Sequence, residues 1–100
     1  MHITLVKKVL ADGQPCAKCR QIEQRLASAG YLGRIDSIVI ADARDPHSPG
    51  IVLAKRLKIS QAPFFVVRST DDESEVVERV YTVYFKFVKE IFGPEQLSLG

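Results

Sequence analysis

The sequence predicts an α/β domain of order β-α-β-α-β-β-α, a four-stranded mixed sheet flanked by helices. Three observations carry this. Short runs rich in Ile, Val, Leu and Phe alternate with segments whose apolar residues recur every three or four positions. A helical crossover separates the first two strands and makes them parallel, whereas a short polar turn separates the last two and makes them antiparallel. The chain has 100 residues, which suits one hydrophobic core. Such a sheet packs most economically with helices on both faces. Residues 1–93 read as one domain, and residues 94–100 as a flexible C-terminal tail.

The first strand covers residues 2–10, HITLVKKVL, apolar on both faces with Lys7 and Lys8 near its exit. Asp12, Gly13 and Pro15 punctuate a loop over residues 11–15. A helix follows from Cys16. Cys19, Ile22, Leu26 and Ala29 recur at helical spacing, Arg20, Glu23, Gln24 and Arg25 fall elsewhere on the wheel, and Gly30 is a natural C-cap. The second strand covers residues 35–40. A polar loop with Asp45 and Pro46 leads to Ser48, an N-cap residue, and Pro49, at the first position of a short helix carrying Ile51, Val52, Ala54 and Leu57. After a bend at Ser60, Gln61 and Ala62, Pro63 precedes a strand over residues 64–68. Residues 69–74 turn the chain and residues 75–80 return as its partner.

The last helix is expected over residues 82–92, stopped by Gly93 and Pro94. Thr82, Lys86, Lys89 and Glu90 share one narrow side, and apolar residues fill an arc of roughly 200°. A helix lying on a sheet needs a stripe nearer 100°. The excess predicts that part of this helix meets a partner, either a client protein or a second copy in a homodimer.

Composition excludes several functions. The net charge is +2, with Lys and Arg scattered rather than interleaved with aromatics, so no nucleic-acid partner is expected. No run approaches the roughly 18 apolar residues of a membrane span. The N-terminal apolar stretch is broken by Lys7 and Lys8 and lacks a basic lead, unlike a secretory signal. A cytoplasmic protein is the expectation. The acidic cluster Asp71, Asp72, Glu73 and Glu75 reads as a solvated turn. His47, Tyr81, Tyr84 and Arg68 read as loop, packing or solvated residues, and Arg44 matters only if its loop lies beside the cysteines.

The segment DGQPCAKCR holds both cysteines of the chain. Residues three apart share a helix face, at a Cα separation of about 5–6 Å that suits a disulfide. Cys16 falls at the helix start, where free N–H groups and the macrodipole favour a thiolate. Lys18 and Arg20, with Lys7 or Lys8, add positive charge nearby. Cys16 is therefore the candidate attacking thiol. Cys19, one turn in on the apolar stripe, is the candidate resolving thiol. That cycle needs no cofactor. Two other readings stay open. A zinc site wants four Cys or His ligands, and only His2 and His47 remain, neither at finger spacing; a soft metal shared between two chains would need only the pair. The third reading is two packed, inert cysteines.

Pro15, Cys16, Ala17, Lys18 and Cys19 at a strand-to-helix junction, with the later run LKISQAPFFVV, resemble the thioredoxin superfamily in its short glutaredoxin-like form. The resemblance covers roughly residues 2–92. It implies a thioredoxin-like fold, a thiol–disulfide oxidoreductase activity at Cys16 and Cys19, and protein or small thiol and disulfide substrates. It also implies that Pro63 is cis and faces the cysteine pair, with the backbone of Ala62 presented to an extended substrate beside Pro15 and Lys18. The chain departs from the family in three places. Ala17 and Lys18 stand where thioredoxins carry Gly and Pro. Lys7 and Lys8 stand in a strand that carries a buried acid there. Glu78, Arg79, Val80, Tyr81 and Thr82 lack the glycine pair with which glutaredoxins bind glutathione. A general thiol–disulfide role survives these departures best; the alternative is a non-enzymatic interaction or redox-sensing module.

Overall fold

A strand apolar on both faces belongs at the centre of a sheet, and β1 (His2–Val9) lies there. The computed structural model describes residues 1–93, so the tail expected over 94–100 lies outside the described residues. The sheet order is β2-β1-β3-β4, with β2 (Ser37–Asp42), β3 (Phe64–Thr70) and β4 (Val76–Tyr81). β1 and β2 run parallel, whereas β1 with β3 and β3 with β4 run antiparallel. Among the described residues three α-helices accompany the sheet: α1 (Ala17–Ser28), α2 (Pro49–Leu57) and α3 (Tyr84–Phe92).

The side-chain alternation of β1 and β3 divides the core in two. On one face Ile3, Leu5, Phe65, Val67 and Tyr81 meet Leu26 of α1 and Phe87, Val88 and Phe92 of α3. On the other, Val6, Ala41, Phe64 and Val66 meet Ile51, Leu53, Ala54 and Leu57 of α2. α1 and α3 thus cover one face and α2 the other. The first face is tied by aromatics: Phe65 and Phe87 stack with centroids 3.9 Å apart, and Tyr31 and Phe92 stack at 4.1 Å.

Several boundaries move from the sequence expectation, each for a local reason. Cys16 is the N-cap of α1 rather than its first residue, with extended backbone at φ −63°, ψ 128°. Ala29 is exposed rather than part of the apolar stripe, because it is the C-cap. Gly30 follows it at φ +81°, and a Schellman pair closes the helix, Gly30 N–H to Ala27 O and Tyr31 N–H to Leu26 O. A 3-10 turn at Leu32–Arg34 then delays β2 to Ser37. Ser48 occupies the N-cap position of α2, but its hydroxyl accepts from Asp42 N–H at 3.0 Å instead of capping the helix. The hairpin turn is shorter than expected, since Thr70 already pairs with Val76. α3 starts at Tyr84, two residues late.

The wide apolar arc of α3 is mostly core. Phe87, Val88 and Phe92 are buried, and Tyr84 and Ile91 are half-buried. Only its start stays open, with Val83 at 55% and Phe85 at 61% exposure. The Arg25 guanidinium sits 5.6 Å from the Phe85 ring centroid.

Gly50 sets how closely α2 approaches the sheet. It is buried, and a Cβ there would collide with the backbone of Ile40 and Ala41. Gly50→Ala must push α2 off β2, so a loss of about 1–3 kcal/mol is expected from overpacking. A lower urea midpoint at unchanged slope checks this, and an unchanged midpoint would contradict the close approach.

Candidate functional site

The end of β1 builds the cysteine site. The Lys8 carbonyl accepts from Cys16 N–H at 3.0 Å, and the Lys8 N–H donates to Cys19 Sγ at 3.4 Å. One residue of the central strand therefore holds both cysteines. The loop between is closed by Leu10 N–H to Gln14 O at 2.8 Å, by Gln14 N–H to Asp12 Oδ1 at 2.9 Å, and by an isolated bridge between Val9 and Pro15. Pro15 thus pins the chain to β1 just before Cys16.

The two thiols differ in environment. Cys16 is half-buried and Cys19 is buried at 3% exposure, and both are free thiols. Burial pushes the Cys16 thiol up, but the Cys19 N–H, the Cys19 thiol, the Lys18 N–H and the Lys8 charge together hold it below its ordinary value of 9.0. These are first-turn N–H groups without a helical partner. The neutral Cys16 side chain makes no capping bond, so it is the ionised form that draws on them. Burial pushes the Cys19 thiol up to about 11; the Lys8 N–H and the charge of Lys7 oppose this, and ionised Cys16 adds to it. The arrangement favours ionisation of the half-buried Cys16 thiol over that of the buried Cys19 thiol.

The other expected site residues fall in two separate places, and neither cysteine lines either of them. Lys18 and Pro63 line a groove of about 190 Å³ with Ile22, Val83 and Tyr84. Ala62 lines a separate cavity on the α2 face with Lys8. The Ala62–Pro63 peptide bond is cis. Lys7 is not free to act on the thiols by itself: its Nζ pairs with Glu23 of α1 at 3.1 Å. Glu23 carries no mark in the sequence beyond lying off the apolar stripe, and this pairing was not legible there. Arg44 does lie against the loop before Cys16, since a Cβ on Gly13 would sit 2.9 Å from its guanidinium. Its charge is committed elsewhere, with Nε and Nη2 bonded to the Asp42 carboxylate at 3.0 and 2.9 Å, which pulls that carboxyl down to about 2.

His2 bonds Ser37 at 3.0 Å and the His47 N–H bonds Asp45 at 2.9 Å, so neither histidine converges on the cysteines. Among the described residues no group of three or more His, Cys, Asp or Glu is placed to hold a metal ion. No described helix is long and apolar enough to cross a membrane. Comparison with protein-family models, with curated proteins and with solved structures finds no match.

Reduced protein should show two thiolate absorbance steps against pH, one below and one above the ordinary thiol range. Coupling makes these properties of the pair, and Cys16→Ser should leave a single step at high pH. Lys8→Gln keeps both backbone bonds but removes the positive charge that favours the Cys16 thiolate, so the first step should move up. Two overlapping steps in the ordinary range would contradict this account.

Proposed function

We propose that the protein is a thiol–disulfide oxidoreductase of thioredoxin-like fold, with Cys16 attacking and Cys19 resolving. The observation that carries the reading is the asymmetry of the pair on one clamp. Cys16 lies at an open helix start and Cys19 one turn inside, 3% exposed, with the Lys8 backbone bonded to both. Packed inert cysteines have no reason to differ in this way. The sheet order β2-β1-β3-β4, with α1 and α3 on one face and α2 on the other, supports the fold assignment. A reducing compartment such as the cytoplasm fits a free dithiol.

The cycle balances without a cofactor. The Cys16 thiolate attacks one sulfur of a substrate disulfide. A Cys16–substrate bond forms as the substrate S–S bond breaks, and the departing thiolate takes a proton from solvent. Cys19 then loses its proton and attacks Cys16 Sγ, releasing the second substrate thiolate. Two electrons pass to the substrate, leaving a Cys16–Cys19 disulfide that an external dithiol reductant must reduce. Lys18 and Pro63 share the groove beside this chemistry with Val83, one of the two open apolar residues at the start of α3. A client's apolar residue would seat in this groove, whose wall includes Lys18, the residue just before Cys19.

The test is turnover of a disulfide-linked peptide with dithiothreitol as reductant. Cys16→Ser should abolish it. With dithiothreitol left out, Cys19→Ser should retain the first step and accumulate a mixed disulfide on Cys16, visible as added mass that dithiothreitol then removes. Turnover that survives Cys16→Ser would overturn the assignment. A metal-holding pair would instead co-purify with near-stoichiometric metal, its remaining ligands supplied from outside the described residues.

A further inference from the structure

The cavity that Ala62 and Lys8 share is a different place from the groove beside Lys18. It measures about 220 Å³ and lies between α2, the end of β1 and the bend before Pro63. Local geometry opens it. Lys58 ends α2 in the left-handed region at φ +59°, and Ile59 N–H returns to Ala54 O at 2.9 Å. The chain therefore turns back over the sheet before β3 starts.

The cavity has one chemical character. Ile51, Ala54, Ile59 and Phe64 give it apolar walls. Among the described residues Lys8 and Lys55 are its only charged lining residues. Among the described residues neither lysine forms an ion pair, whereas Lys7 is matched by Glu23 and Arg44 by Asp42. Two lysines without a carboxylate partner among those residues, one half-buried and one exposed, stand beside apolar walls, and an anion with an apolar chain complements both.

We propose that this cavity binds a small aliphatic carboxylate. Its chain lies against Ile51, Ala54, Ile59 and Phe64, and its carboxylate lies between Lys8 and Lys55. The volume falls below the roughly 300–1,000 Å³ of drug-sized sites, which limits the ligand to a short chain. A carboxylate there offsets the Lys8 charge that favours the Cys16 thiolate, but the binding itself holds whether or not the cysteines turn over a disulfide.

The probe is hexanoate, titrated into reduced protein and followed by amide NMR. Saturable shifts centred on Ile59, Gln61 and Ala62 are expected, with an affinity on the order of millimolar for so few atoms. Acetate, which lacks the chain, and hexanol, which lacks the charge, should each bind more weakly. Lys55→Gln removes one of two charged contacts and should weaken hexanoate by about tenfold. Ala54→Phe fills the cavity and should abolish the shifts. Dispersed spectra of both variants show that they fold, and Lys55 is exposed, so its change leaves the core intact. Hexanol binding as well as hexanoate, shifts indifferent to Lys55→Gln, or no saturation with wild-type protein would each overturn the proposal.

Discussion

The backbone of Lys8 is bonded to both cysteines, and the rest of the site depends on that residue staying where β1 puts it. Its position is not adjustable. β1 pairs with β2 on one side and β3 on the other, and Leu5 and Val6, just upstream, are fully buried on opposite faces. A shift of one residue would exchange the two faces and expose both cores. The register that satisfies the core therefore also fixes which carbonyl meets Cys16 and which N–H meets Cys19. Packing and site geometry are one constraint here.

Much of the architecture was legible because its signals are local. The apolar runs of β1 and β3, the helical spacing of Cys19, Ile22 and Leu26, and the turn residues between them place the elements in the observed order. The mixed sheet follows from connection lengths alone. Departures from the expectation arise where a side chain or N–H takes a partner that the local pattern does not contain. Ser48 and Pro49 start α2 where expected, but the Ser48 hydroxyl serves Asp42 rather than its own helix, and Asp36 reaches across to Ile3 N–H at 2.7 Å just before β2 begins. Most of the wide apolar arc of α3 is spent within the chain, Phe87 on Phe65 and Phe92 on Tyr31, and Val83 and Phe85 are the part that stays open for the expected partner.

The site was legible in part, for a physical reason. That Cys16 is the thiol favoured as an anion follows from helix position and spacing, which a sequence displays. What lies behind Cys19 does not, because it is assembled from residues far apart in the chain. Lys7 and Glu23 are 16 positions apart and meet only because α1 lies over that face of β1. Both keep just under a third of their side-chain surface in solvent, which still partly screens the pair, so it contributes modestly to stability. Its larger effect is local. A lysine beside Cys19 helps the thiolate, and a carboxylate bound to that lysine moderates the help.

This balance bears on how the proposed cycle would run. Cys19 is held protonated chiefly by burial, and ionised Cys16 beside it raises it further. Once Cys16 is tied up in a mixed disulfide, that neighbouring negative charge is gone. The opposing groups, the Lys8 N–H and the Lys7 charge, remain in place because the backbone holds one and Glu23 holds the other. The first step thus removes part of what kept the second thiol protonated. The order of events would then be set by the pair itself, without the buried acid that the resembling family places in this strand. Two lysines at the end of one strand, one acting through its backbone and charge and one through a charge tempered by Glu23, would do the same work by a different route.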